Sequence, residues 1–271
     1  MPEGDTIFRV ARTLRHALEG EEVMAVATTV AQVRALGEQR LVGQTVGAVE
    51  PRGKHLLIWF SPSDLALHSH MRMSGSWHLY RHGQRWRRPR HLLRFRLETA
   101  QWLALCFSAP VIELLSAAQV ARHPSLAALG PDALGEEPDL DEVRRRLGAM
   151  GDTTIGEALL DQRVMAGVGN VYKNEVLFIH AVDPWTPVAQ VDGETRDALL
   201  DTAVTLLRRN VRRGQVRRVT TGGAGVGGDL HVYGRHRRPC PRCRRPIAVA
   251  RQGDQGRLTY WCRSCQGPGR P

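Results

Sequence analysis

Lysine is nearly missing from this chain: of 38 lysine and arginine residues, only Lys54 and Lys173 are lysine. Biased coding composition accounts for such a skew. A compact ammonium that survives it is still a candidate for a role that a delocalised guanidinium fills poorly. Also absent is any apolar run long enough to cross a bilayer, in line with a mean hydropathy of −0.30. Met1 is followed by Glu3 and Asp5, not by a basic and then an apolar segment, so no secretory leader is expected. A cytoplasmic location is expected. Five cysteines without such a leader are not expected to form disulfides. There are no internal repeats. The glycine-rich stretch Thr220–Gly228 lacks the Gly-Lys-Ser/Thr ending of a phosphate-binding loop and reads as a mobile loop.

Positive charge is what the chain has in excess. A net charge of +11 and a pI of about 10.4 point to a polyanionic partner. Arginines gather at Arg81 to Arg96, Arg208 to Arg218 and Arg235 to Arg245. A solvated basic surface, as on a ribosome-associated protein, is the plainer alternative. No basic amphipathic helix carries these clusters, which argues against a membrane surface.

With 271 residues the chain is expected to form two domains. Ile7, Val10, Ala11, Leu14 and Leu18 recur at helical spacing, which predicts a helix over Thr6 to Glu19, with Asp5 as its cap and Gly20 as its end. From Glu22 to Leu115 the pattern turns to short alternating runs: Val46–Val49, His55–Phe60, Leu65–His70, Ser76–Tyr80, Leu92–Leu97 and Trp102–Phe107. Gly, Pro and Ser punctuate them, as in a β-sandwich or barrel. Lys54 falls in the turn after Pro51-Arg52-Gly53. Residues 117–138 read as a connection. Beyond it helices are predicted over Leu140–Leu147, from Thr154 (in a capping box with Glu157), over Asn170–Phe178 and over Glu194–Arg209.

Two Cys-x-x-Cys pairs, Cys240/Cys243 and Cys262/Cys265, stand eighteen residues apart. That spacing is the pattern of a four-cysteine zinc site, closed and therefore structural. Between the pairs, Ile247–Ala250 and Leu258–Trp261 form the arms of a hairpin. From His231 onward there are ten arginines against one acid, Asp254, which suits a phosphate backbone. A zinc ribbon that binds RNA or protein would look the same. Cys106, in an apolar strand, reads as an inert core thiol.

The N-terminus offers different chemistry. Removal of Met1 would leave Pro2 with a secondary amine, which forms a permanently cationic iminium on attacking an aldehyde-type carbon. Glu3 then stands one peptide away, able to protonate a ring or leaving oxygen. A trimmed, frayed terminus is the bland alternative, and a helix from Thr6 that anchors the segment weighs against it.

Met1-Pro2-Glu3-Gly4-Asp5, Arg52-Gly53-Lys54, Ala166 to Glu175, Val232-Tyr233-Gly234-Arg235 and the cysteine pairs, in this order, resemble the formamidopyrimidine-DNA glycosylase and endonuclease VIII family over nearly the whole chain. The resemblance implies an α+β fold of two domains. It gives a catalytic β-sandwich with a flanking helix at 1–120, a linker at 121–139, a helix-two-turn-helix domain at 140–228 and a zinc-finger hairpin at 231–267. It implies a bifunctional DNA glycosylase and abasic-site lyase of base-excision repair, acting on damaged double-stranded DNA as a monomer with one structural zinc ion. Pro2 is then the nucleophile at C1′, Glu3 the acid and Lys54 the lysine that contacts phosphate at the reacting centre. The DNA contacts are His70, Arg72, Met73, Asn170, Lys173 and Arg257, with Cys240, Cys243, Cys262 and Cys265 on the metal.

Within that set, Met71-Arg72-Met73 resembles the loop that fills the gap left by an extruded base. Ordinary core packing is the alternative for both methionines. His68 and His70 lack a nearby acid or cysteine cluster in the sequence, which argues against metal ligation. The stretch Ser108 to Glu113 stands where the formamidopyrimidine branch carries an Arg-Phe-Gly wedge. Its absence is similar to endonuclease VIII and favours oxidised pyrimidines. A zinc-stabilised binder of abasic or distorted DNA that does not cut is the rival reading; Pro2, Glu3 and Lys54 separate the two.

Overall fold

The computed structural model describes residues 2–212, 217–221 and 228–269; Met1 and most of the glycine-rich stretch (222–227) lie outside the described residues. The chain divides into two compact units, Met1–Ala128 and Leu129–Pro271. The division falls inside the stretch expected as a linker. That stretch is not bare: Ala117–Arg122 and Pro124–Ala127 are short helices of the first unit, and Gly130 and Ala133 donate backbone hydrogen bonds to Gln162 and Ala166 of the second.

The first unit is a sandwich of two antiparallel four-stranded sheets. One has the order β1 (Ala25–Thr28), β6 (Leu93–Glu98), β7 (Trp102–Phe107), β5 (Ser76–Arg81). The other has the order β2 (Thr45–Arg52), β3 (His55–Ser61), β4 (Leu65–His70), β8 (Val111–Ser116). Period-two alternation turns Leu56, Ile58 and Phe60 of β3, Leu65 and Leu67 of β4, and Ile112 and Leu114 of β8 into the core. There they meet Val26, Phe95, Leu97, Ala104 and Cys106 of the facing sheet. Cys106 is fully enclosed, and burial pushes its thiol far up, so it is an inert core group.

Helix α1 (Gly4–Leu18) packs Ile7, Ala11, Leu14 and Leu18 into the same core. It begins two residues earlier than the pattern predicts. Asp5 does not cap it, because its carboxylate lies within the first turn, 3.5 Å from the Arg9 guanidinium. Glu3 occupies the capping position, and its carbonyl accepts from the Thr6 and Ile7 N–H groups.

In the second unit, α2 (Leu140–Gly148), α3 (Asn170–Ile179) and α4 (Gly193–Asn210) enclose Val143, Leu147, Tyr172, Val176, Leu199, Ala203 and Leu207. Asp139 and Asp192 cap α2 and α4. Thr154 precedes only a single turn, Ile155–Ala158; its hydroxyl donates to the Glu157 carboxylate at 2.6 Å rather than serving as a cap. The hairpin β9 (Ala248–Gln252) and β10 (Arg257–Trp261) lies between the two cysteine pairs.

Candidate active site

Pro2 is half-buried at the entry to α1, and Glu3 is fully enclosed directly behind it. The segment is therefore held by the helix rather than frayed. Arg15 donates to the Val49 carbonyl at 2.6 Å, and Gly20 N–H bonds to the Val46 carbonyl, so α1 and β2 run alongside in opposite senses. From that contact, thirteen helical residues back to Pro2 span about 20 Å and five strand residues on to Lys54 about 16 Å. Both ends accordingly lie toward the same rim of the sandwich. Lys54 is the second residue of a two-residue turn closed by the Arg52–His55 pair. Gly53 precedes it at φ 57°, the left-handed conformation required at the first position of such a hairpin turn.

Behind this turn lies a cluster that sequence reasoning missed. Register places His55 opposite His70 and His68 opposite Glu113, on the sheet face turned away from the sandwich core. His55 Nδ1 is 2.8 Å from His68 Nε2; His68 Nδ1 is 2.8 Å from Glu113 Oε2, which also lies 3.2 Å from His123 Nε2. The expectation that His68 has no acid nearby is thus corrected. Glu113 is 45 residues away in sequence and adjacent in the sheet. Burial, then the proximity of His70, His68, His123 and Lys54, holds His55 down at about 2. Burial and then Lys54 hold His70 at about 4. These rings are neutral near pH 7.

The segment after β4 separates its two methionines. Met71 is 2% exposed and belongs to the sandwich core, whereas Met73 is 61% exposed. Arg72 adopts φ 45°, and its N–H donates to His70 Nδ1 at 3.2 Å, which leaves the His70 proton on Nε2. Gly75 N–H returns to the Met71 carbonyl at 2.8 Å, and a Cβ at Gly75 would sit 2.7 Å from Met71 Cα and 3.0 Å from Ala109 Cα. The connection from β7 to β8 is only residues 108–110, tied to this segment by Ser74 Oγ donating to the Ser108 carbonyl.

In the second unit, Asn170, Lys173 and Asn174 share one face of α3 at helical spacing, and that face meets β10. Asn170 Nδ2 donates to the Leu258 carbonyl (2.8 Å), Lys173 Nζ to Thr259 Oγ1 (2.6 Å), and Tyr260 N–H to Asn174 Oδ1 (2.6 Å). Lys173 is 0% exposed. The expected DNA contact by Lys173 is therefore corrected to an internal one: its ammonium is spent on the hairpin. Asn170, at the first position of α3 after Gly167 and Gly169, is also buried. Glu175 on the same helix was not singled out. Enclosed fully, its carboxylate accepts from the N–H groups of His231, Val232 and Tyr233 at 2.7–2.9 Å, and from the Thr220 hydroxyl. It fixes the Val232-Tyr233-Gly234-Arg235 segment.

The four cysteine sulfurs lie within 4.8 Å of one another, with Cys240–Cys265 at 3.9 Å and Cys243–Cys262 at 3.4 Å. Tetrahedral zinc with bonds of about 2.3 Å sets sulfur–sulfur edges of about 3.8 Å, so the cluster fits the ion. Arg257 opens β10 beside the hairpin tip and bonds Gln255 Oε1 at 3.2 Å.

Comparison with known proteins agrees with this geometry. The formamidopyrimidine-DNA glycosylase N-terminal domain matches residues 1–110, and the H2TH (helix-two-turn-helix) domain of the same glycosylase matches residues 129–221. "Probable endonuclease 8 2" of Streptomyces coelicolor is 44% identical, over 99% of this chain and 95% of that protein. "DNA-(apurinic or apyrimidinic site) lyase Nei2" of Mycolicibacterium smegmatis is 38% identical over 98% and 99%. Endonuclease 8 of Escherichia coli is 33% identical over 98% and 100%. Lactococcus lactis Fpg, solved with oxidised-pyrimidine DNA, superimposes with a TM-score of 0.81 at 25% identity, covering 98% of this chain and 99% of that one. The chain belongs to the formamidopyrimidine-DNA glycosylase and endonuclease VIII family, on its endonuclease VIII side.

Proposed function

We propose that this DNA glycosylase and abasic-site lyase removes oxidised bases, pyrimidines in preference, by attack of the Pro2 amine on C1′ of an extruded nucleotide in duplex DNA. Departure of the base and opening of the sugar ring give an iminium on the proline nitrogen. Successive β- and δ-eliminations then cut on both sides of the sugar. Glu3 supplies the proton for ring opening, and Lys54 holds a phosphate beside the reacting carbon. A free N-terminal amine has an ordinary pKa of about 7.7–8.0, and the partial burial of Pro2 favours its unprotonated, nucleophilic form near neutral pH.

One observation carries this reading. The two N-terminal residues that the chemistry requires are packed into the first turn of α1, with the Glu3 side chain wholly enclosed. A dispensable leader would have no reason to be built in. The outward Met73 suits a wedge that replaces the extruded base, and the His70 Nε2 proton suits a phosphate oxygen. Asn170 at the α3 N-terminus and Arg257 on the hairpin are assigned to the DNA backbone. The short connection at residues 108–110 leaves no room for a strand-separating wedge, which supports pyrimidine lesions. One zinc ion held by Cys240, Cys243, Cys262 and Cys265 crosslinks the hairpin and takes no part in bond breaking.

Borohydride reduction in the presence of an abasic duplex tests the reading. The native protein should give a covalent adduct that maps to Pro2 by mass spectrometry. A form with a leading tag ahead of Pro2 should give none. Pro2→Gly, which keeps a primary amine, should trap in part. Equal trapping by tagged and native forms assigns the chemistry to another nucleophile, and absence of trapping with intact binding leaves a non-cutting DNA binder.

A further inference from the structure

The turn bearing Lys54 leads into hydrogen-bonded side chains that the reaction above does not use. The Glu113 carboxylate can only accept, so the ring nitrogen facing it at 2.8 Å, His68 Nδ1, carries that ring's proton. A neutral imidazole has one N–H, so His68 Nε2 is a lone pair, and His55 Nδ1, 2.8 Å away, donates to it. The same logic leaves His55 Nε2 as a lone pair. His70 is fixed the other way, because Arg72 N–H donates to its Nδ1. The His55 and His70 rings are 4.5 Å apart and nearly edge to face, at 63°. Next to the turn that bears Lys54 they present opposite polarity: an acceptor suited to an ammonium and a donor suited to a phosphate.

We infer that Glu113, His68 and His55 form a directed hydrogen-bond relay that fixes a lone pair at His55 Nε2 to orient the Lys54 ammonium. The three are positioning residues for that lysine, and the inference rests on the role given to Lys54 above. The groups around His55 are Lys54 from the turn, His68 and His70 from β4 and His123 from beyond the Ala117–Arg122 helix, with Glu113 of β8 joined to it through His68. Among them only Glu113 is an acid, so the relay has a single fixed origin. The same Glu113 oxygen with His68 Nδ1 and His123 Nε2 could hold a divalent cation. That would add charge beside Lys54 in a chain of net charge +11. It would also reverse the relay, since a metal on Nδ1 puts the His68 proton on Nε2.

Two measurements on the full-length, zinc-loaded protein decide the matter. Histidine 15N shifts, with assignments made through single-histidine variants, read tautomers whether or not the enzyme turns over. Both His55 and His68 should carry the proton on Nδ1. In single-turnover cleavage of an abasic duplex, Glu113→Gln and His68→Leu should slow the step by about 10- to 100-fold, as misplacement of a reacting group does. The Kd for a tetrahydrofuran-bearing duplex should stay within about threefold. His68→Gln, which can accept from His55 and donate to Glu113, should recover most of the rate. In a Lys54→Ala background, Glu113→Gln should add no further loss. Three results overturn the relay: a proton on His68 Nε2, full additivity with Lys54→Ala, or a second bound zinc equivalent that Glu113→Gln abolishes. If the wild type neither cuts nor traps, the covalent mechanism falls, and the 15N tautomers still decide the relay.

Discussion

At the scale of single residues, the two methionines after β4 make the sharpest contrast. Met71→Ala should cost about 2–5 kcal/mol, because it empties a filled core position. Met73→Ala should stay within about 0.5 kcal/mol by thermal denaturation, as exposed positions do, yet weaken base removal from duplex DNA. Sequence favoured Met73 as the wedge but kept core packing open for both, since both fit an alternating pattern; the left-handed Arg72 between them breaks it. The buried histidines predict a pH dependence. Their folded values lie below the ordinary 6.5, at about 4 for His70 and about 2 for His55. The unfolded chain therefore takes up protons first on acidification. The stabilisation is complete above about pH 6.5 and is lost as pH falls from there, toward about 4 for His70 and about 2 for His55. Urea midpoints should drop across that window, and His70→Asn should flatten the drop. The four-cysteine cluster was legible because its pair spacing is itself the signal, and the roles proposed for Pro2, Glu3 and Lys54 rest on their immediate chain neighbours. The Glu113–His68–His55 set was not, because its members meet only through the register of three strands.

At the scale of elements, hairpin and helix hold one another. β10 is fastened to the polar face of α3 by Asn170, Lys173 and Asn174, and behind it the cysteine cluster closes the ends. Chelation should therefore loosen the hairpin and reduce DNA affinity before it affects the α1 segment, readable as weakened gel-shift binding with the N-terminal fold intact by circular dichroism. Lys173→Ala should act in the same direction, costing about 3 kcal/mol by leaving a cavity and removing the donor to Thr259 Oγ1. Lys173→Met should be milder, because it fills the space without a buried charge. The helix was readable from its flanking glycines and apolar periodicity. That its polar stripe faces a strand over eighty residues away was not: spacing shows which residues share a face, not what the face meets.

At the scale of the whole chain, positive charge governs association. With nearly all of its basic residues arginine, log affinity for duplex DNA should fall linearly with log salt, with a slope of about −0.9 per phosphate neutralised. Titrations between about 50 and 200 mM salt should show a loss of about a thousandfold if six phosphates are engaged. A flat response would remove DNA backbone as the main partner. Two units were expected from length and change of texture, and the sandwich from its alternating runs. The division between the units falls within the expected linker, but its loop signals, His123-Pro124 and Gly130-Pro131, did not reveal the short helices and backbone bonds around them.

Gly75 draws these scales together. A Cβ there would crowd the Met71 and Ala109 backbones, so a single methyl group would force the segment that carries Met73 to shift. If Met73 enters the double helix as proposed, its reach is set by a hydrogen atom two residues further along the chain.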